Sequence, residues 1–95
     1  MIQSIESLRM KLVSSEWEFK GQRLKFLPDG VFSIKEEGAP PQIFSYSLST
    51  HGDNFYLELK AHVTSSFQIT GVSNYMIWVR YLHHPHSIGV FEKVI

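Results

Sequence analysis

Residues 15–35 read SEWEFKGQRLKFLPDGVFSIK, and this stretch decides the fold. Leu24 and Phe26 alternate with Arg23 and Lys25; beyond the break, Phe32 and Ile34 alternate with Ser33 and Lys35. Apolar and polar residues in strict alternation put one set on a buried sheet face and the other in water. Between the two runs stands Pro28-Asp29-Gly30. Proline presets φ for the first corner of a turn, and glycine takes the left-handed conformation that closes a hairpin loop. Upstream, Trp17 and Phe19 alternate with Glu16, Glu18 and Lys20, and Gly21 permits a tight turn into the next strand.

Working outward, the same period recurs to the C-terminus. Strands are predicted at Glu16–Phe19, Gln22–Leu27, Val31–Glu36, Gln42–Ser49, Asn54–Lys60, Ser65–Thr70, Tyr75–Leu82 and Ile88–Val94. The run EEGAPP over residues 36–41 breaks both helix and strand, and Thr50–Asp53, Gly71–Asn74 and the HHPHS segment are read as turns or loops. At the N-terminus Ile2, Ile5, Leu8 and Leu12 recur at spacings of three and four, which predicts an amphipathic helix over 2–13. So short a helix needs a surface to pack on, either a barrel mouth or a sheet face. About eight short strands without room for crossover helices predict an up-and-down antiparallel meander, closed as a small barrel, with a β-sandwich as the alternative. Residues 1–95 make one domain, with 1–14 as the helical lead and 15–95 as the barrel.

The proposed inward residues are Leu24, Phe26, Phe32, Ile34, Phe44, Tyr46, Leu48, Phe55, Leu57, Leu59, Phe67, Ile69, Ile77 and Val79. Most are bulky. An eight-stranded barrel is just wide enough for its own side chains or for one small ligand, so a filled interior is expected.

Composition narrows the function. Nine basic and nine acidic groups cancel, which disfavours binding a nucleic acid backbone by bulk charge. There is no cysteine, hence no disulfide framework and no thiolate metal site. No apolar run approaches the ~20 residues that span a bilayer, and MIQSIESLRMKL has neither the continuous apolar core nor the small-residue cleavage site of a secretory signal. A cytoplasmic protein acting away from membranes is expected. Residues 1–37 carry six basic and six acidic groups, whereas residues 38–95 carry three of each among many aromatics. The second part should therefore be more buried, or present an apolar surface.

In Tyr75–Leu82, alternation puts Tyr75, Ile77, Val79 and Tyr81 on one face and Met76, Trp78, Arg80 and Leu82 on the other. A strand apolar on both faces is usually covered on both, and the N-terminal helix is the expected cover over Met76 and Trp78. The alternative is an exposed interaction patch.

Trp17, Gly21, Leu24, Phe26, Asp29-Gly30 and Phe32, followed by a meander of aromatic strands, resemble the small lipocalin-like (calycin) domains. The resemblance implies a helix or turn leading into a Trp-bearing strand at the barrel floor, and an interior able to hold an apolar ligand. It also implies a late-strand arginine packed over the tryptophan, a part that falls to Arg80. The family's glycine two places before the tryptophan is Ser15 here, and the chain is much shorter than an ordinary lipocalin.

Polar clusters offer little chemistry. His83, His84 and His86 would suit zinc or copper if their loop curled around the ion, but Pro85 stiffens it and neighbouring side chains on extended backbone point apart. Solvated loop histidines are the ordinary reading. His51-Gly52-Asp53 is explained by turn chemistry, and Glu16 with Glu18 by a solvated strand face. No nucleophile signature of the G-x-S-x-G kind occurs. The expectation is therefore a small non-enzymatic module without cofactor. It would bind another protein, or a second copy of itself, through Met76, Trp78, Tyr81 and Leu82, as an inhibitor, an immunity-type antidote, an accessory subunit or a self-associating domain does. The alternative is a carrier of a small apolar ligand held inside the barrel by Trp17, Phe26, Phe32, Phe44, Tyr46, Phe55 and Phe67.

Overall fold

A computed structural model describes residues 4–84 and 87–94. Its elements are α1 (Ile5–Val13), β1 (Glu16–Phe19), β2 (Gln22–Phe26), β3 (Val31–Lys35), β4 (Gln42–His51), β5 (Asn54–Lys60), β6 (Thr64–Val72), β7 (Met76–Tyr81) and β8 (Ile88–Lys93). Each strand pairs antiparallel with its chain neighbour, and β1 pairs with β8, so the sheet closes as an up-and-down barrel. Closure leaves no sheet edge open to pairing. The sandwich alternative falls.

All fourteen predicted inward residues belong to the core or pack against it. The hairpin at Pro28–Gly30 forms as read: Leu24 faces Ile34 and Phe26 faces Phe32, and Gly30 has φ 85°. Two strands run longer than expected. β4 continues through His51 into a two-residue turn at Gly52-Asp53, and β6 runs to Val72 across a register shift between Ile69 and Gly71.

Residues 2 and 3, the first of the predicted helix, lie outside the described part. Ser4 caps α1, its side chain accepting from the Ser7 N–H at 3.1 Å. Glu6 in the first turn and Lys11 in the last complement the helix dipole. The stripe residues Leu8 and Leu12 are fully buried. They do not lie over Met76 and Trp78, which stay 37% exposed. The helix instead plugs the barrel end where β1 begins, its packing directed at β2 and β4. An apolar stripe gains most where it meets the barrel's own inward side chains, and the barrel end offers those. The outer face of β7 offers only a strip.

Candidate functional site

The two ends of the barrel differ. At the helix end Trp17, Phe26, Tyr46, Leu8 and Leu12 are buried and close-packed. Across the middle, Phe19, Phe67, Phe91 and Phe26 form an aromatic floor. Phe19 lies 4.4 Å from Phe91 and 5.8 Å from Phe67, centroid to centroid, and Phe91 lies 6.4 Å from Phe26. Gly89 makes room for it. A Cβ at that position would stand 2.8 Å from Cε1 of Phe19.

Beyond the floor the barrel opens into a mouth. A cavity of about 390 Å³ opens at the end away from the helix. The expected packed interior gives way only at this mouth: Leu24, Phe32 and Phe67 behind it are at most 1% exposed. Half-buried Ile34, Phe44 and Tyr81 give its apolar wall, buried Phe19, Leu24, Phe32, Leu59 and Phe67 close it from below, and its rim carries Lys20, Gln22, Glu36, Gln42, His62 and Ser65. The reason lies in the inward register itself. Following each strand toward the open end, Leu24 gives way to Gln22, Ile34 to Glu36, Phe44 to Gln42 and Phe67 to Ser65. These side chains cannot fill an apolar space without losing water, so they stay at the mouth.

The rim is partly ordered by its own contacts. The Gln22 amide donates to Glu36 Oε1 at 2.6 Å, and the His62 ring stands edge-on to Phe44 at 5.1 Å. The Lys20 ammonium lies 4.4 Å from the Tyr81 ring centroid and 5.7 Å from that of Phe19. Among the described residues Lys20 forms no ion pair. It occupies the first position of the two-residue turn between β1 and β2, with φ 52°, and Gly21 follows with φ 77°.

Of the aromatics predicted to hold a ligand, Phe32, Phe44 and Phe67 line the cavity. Trp17, Phe26 and Tyr46 are buried in the packed helix end instead, and Phe55, half-buried, also lies away from the cavity. Phe19 and the polar rim were not singled out from the sequence, and Tyr81 was assigned to a partner surface rather than to the cavity. The swap from apolar to polar at successive inward positions is the signal that would have found them.

The predicted partner surface is divided. Met76 and Trp78 lie on the outer face of β7, with Leu82 exposed just beyond the strand, whereas Tyr81 is half-buried and faces the cavity. The Trp78 ring lies against Gly71, its Cε3 within 3.2 Å of where a Cβ would stand. On β8, Val90 faces Trp78 and the exposed Ile88 faces Arg80. Arg80 is exposed on this outer face, so it does not pack over Trp17. The tryptophan is instead sealed by α1, its Nε1 donating to the Leu12 carbonyl at 2.9 Å.

His83 and His84 are exposed, and His86 lies outside the described residues, as does Pro85. Among the described residues no three His, Asp or Glu side chains come together to hold a metal ion. His51 and Asp53 are exposed at their turn, and Glu16 lies 3.9 Å from Arg23 on the outer face. Among the described residues no helix is long and apolar enough to cross a membrane. No protein-family model, curated protein or solved structure matches this chain.

Proposed function

We propose that this protein is a binding barrel that takes one small, mainly apolar ligand in the open-ended cavity, in the manner of a lipocalin-like carrier. The observation that carries the reading is the asymmetry of the interior. One end is packed around Trp17, while the other keeps about 390 Å³ lined by aromatic and aliphatic side chains with a few polar groups at the rim. Ligand sites are typically concave, largely preformed, apolar in lining and of about 300–1,000 Å³. Aromatic lining at Phe19, Phe32, Phe44, Phe67 and Tyr81 suits a flat ring or a short alkyl chain. Titration with a hydrophobic dye, followed by native mass spectrometry, tests the reading. Saturable binding of one dye per chain, weakened at least tenfold by Phe44→Arg, is expected. No binding by the folded protein, or binding indifferent to Phe44→Arg, defeats it.

A second reading rests on the outer face. Met76, Trp78, Leu82 and Ile88 are exposed on adjoining strands, and such a strip suits a protein partner or a second copy of the chain. Trp78→Glu should then change oligomer size in sedimentation or abolish capture of the partner, with folding intact. Unchanged behaviour in both assays removes this reading.

A further inference from the structure

The outer face of β7 and β8 carries a further inference, which rests on that face being a binding surface: we propose that its occupant is a second copy of this chain, related by a two-fold axis, with Arg80 of each copy set on Glu92 of the other. Along β7 the outward side chains are Met76, Trp78 and Arg80, and opposite them on β8 stand Glu92, Val90 and Ile88. Val90 is half-buried and the rest are exposed. Arg80 and Glu92 thus occupy diagonally opposite corners of the patch, with apolar side chains between them. A second copy can be turned onto this face about an axis that lies in the contact plane and crosses the strands at Trp78 and Val90. Its strands then run the opposite way, so the Arg80 end of each copy falls on the Met76–Glu92 end of the other. Both charge contacts form at once, and Trp78 meets its own counterpart, where offset stacking of the rings is favourable.

Within one copy these charges have no partner. Among the described residues Arg80, Glu92 and Glu18 form no ion pair, and Arg80 lies over no aromatic ring. Glu18 stands directly opposite Glu92 across β1 and β8. Like charges so placed are unfavourable, and a cation set over them removes that cost. Arg23, which faces Glu18 from β2, lies toward Glu16 instead, at 3.9 Å. The anionic pair is therefore open to a guanidinium from outside, and the same face carries one at its far corner. An unrelated partner would need an anion for Arg80 and a cation for Glu92 at this spacing, whereas a second copy has both by symmetry. Convex barrel walls touch over less than the ~800 Å² per partner of a standard interface, so the dimer should be reversible.

Sedimentation equilibrium of the full chain over a wide range of concentration tests this. The parent should dimerise reversibly, and more weakly as salt is added. Arg80→Glu and Glu92→Arg, each alone, should weaken dimerisation about tenfold or more, because each sets like charges against one another at both ends of the interface. Mixed in equal amounts, the two variants should associate with each other, since one then carries only anions at these corners and the other only cations. Circular dichroism confirms that each variant is folded. A parent that stays monomeric overturns the proposal, as does a mixture of the two variants that associates no better than either alone. If Trp78→Glu breaks the dimer but the charge variants leave it unchanged, the face is still the interface and the two-fold register fails. If the parent is monomeric yet Trp78→Glu abolishes capture of another protein, the face is a binding surface and the second copy is not its occupant. If Trp78→Glu alters neither, the reading of the face falls and takes this inference with it.

Discussion

The indole Nε1 of Trp17 donates to the main-chain carbonyl of Leu12 at 2.9 Å, in the fully buried plug between α1 and the barrel floor. Leu12 stands in the last turn of α1, where carbonyls have no partner within the helix. The bond therefore satisfies a buried helix-end acceptor and fixes the helix to the first strand at once. Trp17→Phe should destabilise by about 2–4 kcal/mol, combining an orphaned buried carbonyl with a smaller ring in a packed site. Trp78→Phe, on the half-exposed outer face, should cost under about 1 kcal/mol. Urea unfolding of the two variants checks the contrast, and equal costs would contradict the plug.

Gly89 and Phe19 form the second such pair. A Cβ on residue 89 would meet Cε1 of Phe19 at 2.8 Å and Cζ at 3.3 Å, and the ring is already held against Phe91 and Phe67. Gly89→Ala should cost about 1–3 kcal/mol by overpacking. Phe19→Leu in the same chain should recover part of the loss. A double-mutant cycle by thermal unfolding measures that coupling, and additive effects would place the two residues apart.

Lys20 should be expendable for folding. Asparagine adopts the left-handed region more readily and is favoured at the first position of this hairpin turn. Lys20→Asn is expected to stabilise the protein by about 0.5–1 kcal/mol. Its denaturation midpoint should rise. A fall in the midpoint would mean that the ammonium contributes to the fold through Tyr81 and Phe19.

Tyr46 gives a pH dependence. Burial raises its hydroxyl above the ordinary value of 10.0, Arg9 opposes the rise, and Asp29 adds to it. The hydroxyl donates to the Leu27 carbonyl at 2.6 Å, which only the protonated form can do. Because the folded value is the higher one, the folded state holds this proton more tightly than the unfolded chain. The contribution is fully present below pH 10.0 and is lost as pH rises through the folded value. Stability measured from pH 8 to 11 should decline above about 10, and Tyr46→Phe should flatten much of that decline. An unchanged slope in the variant would assign it to other groups.

The hairpin Leu24–Ile34, the alternating strands and the buried stripe Leu8–Leu12 were legible because each follows from a period that one segment carries by itself. The inward faces of β2 through β7 were right residue by residue for the same reason. The place of α1 was not legible. Its stripe says only that it must be covered, and the barrel end and the outer face of β7 both offered apolar cover. Tyr81 shows the same limit: alternation put it on the inner face with Val79, but only closure of β7 against β8 and β1 brought it to a mouth shared with Phe19 and Lys20.

The sequence by itself determined which side chains turn inward, since the side-chain period of a strand is a local property. Whether those side chains fill the interior was decided by the tertiary structure. Closing eight strands fixes a width, and the level at which inward residues change from Leu24, Ile34, Phe44 and Phe67 to Gln22, Glu36, Gln42 and Ser65 is aligned around the ring only by the register of the whole barrel. The cavity lies at that level, because space lined by groups that keep their water cannot collapse onto the aromatic floor.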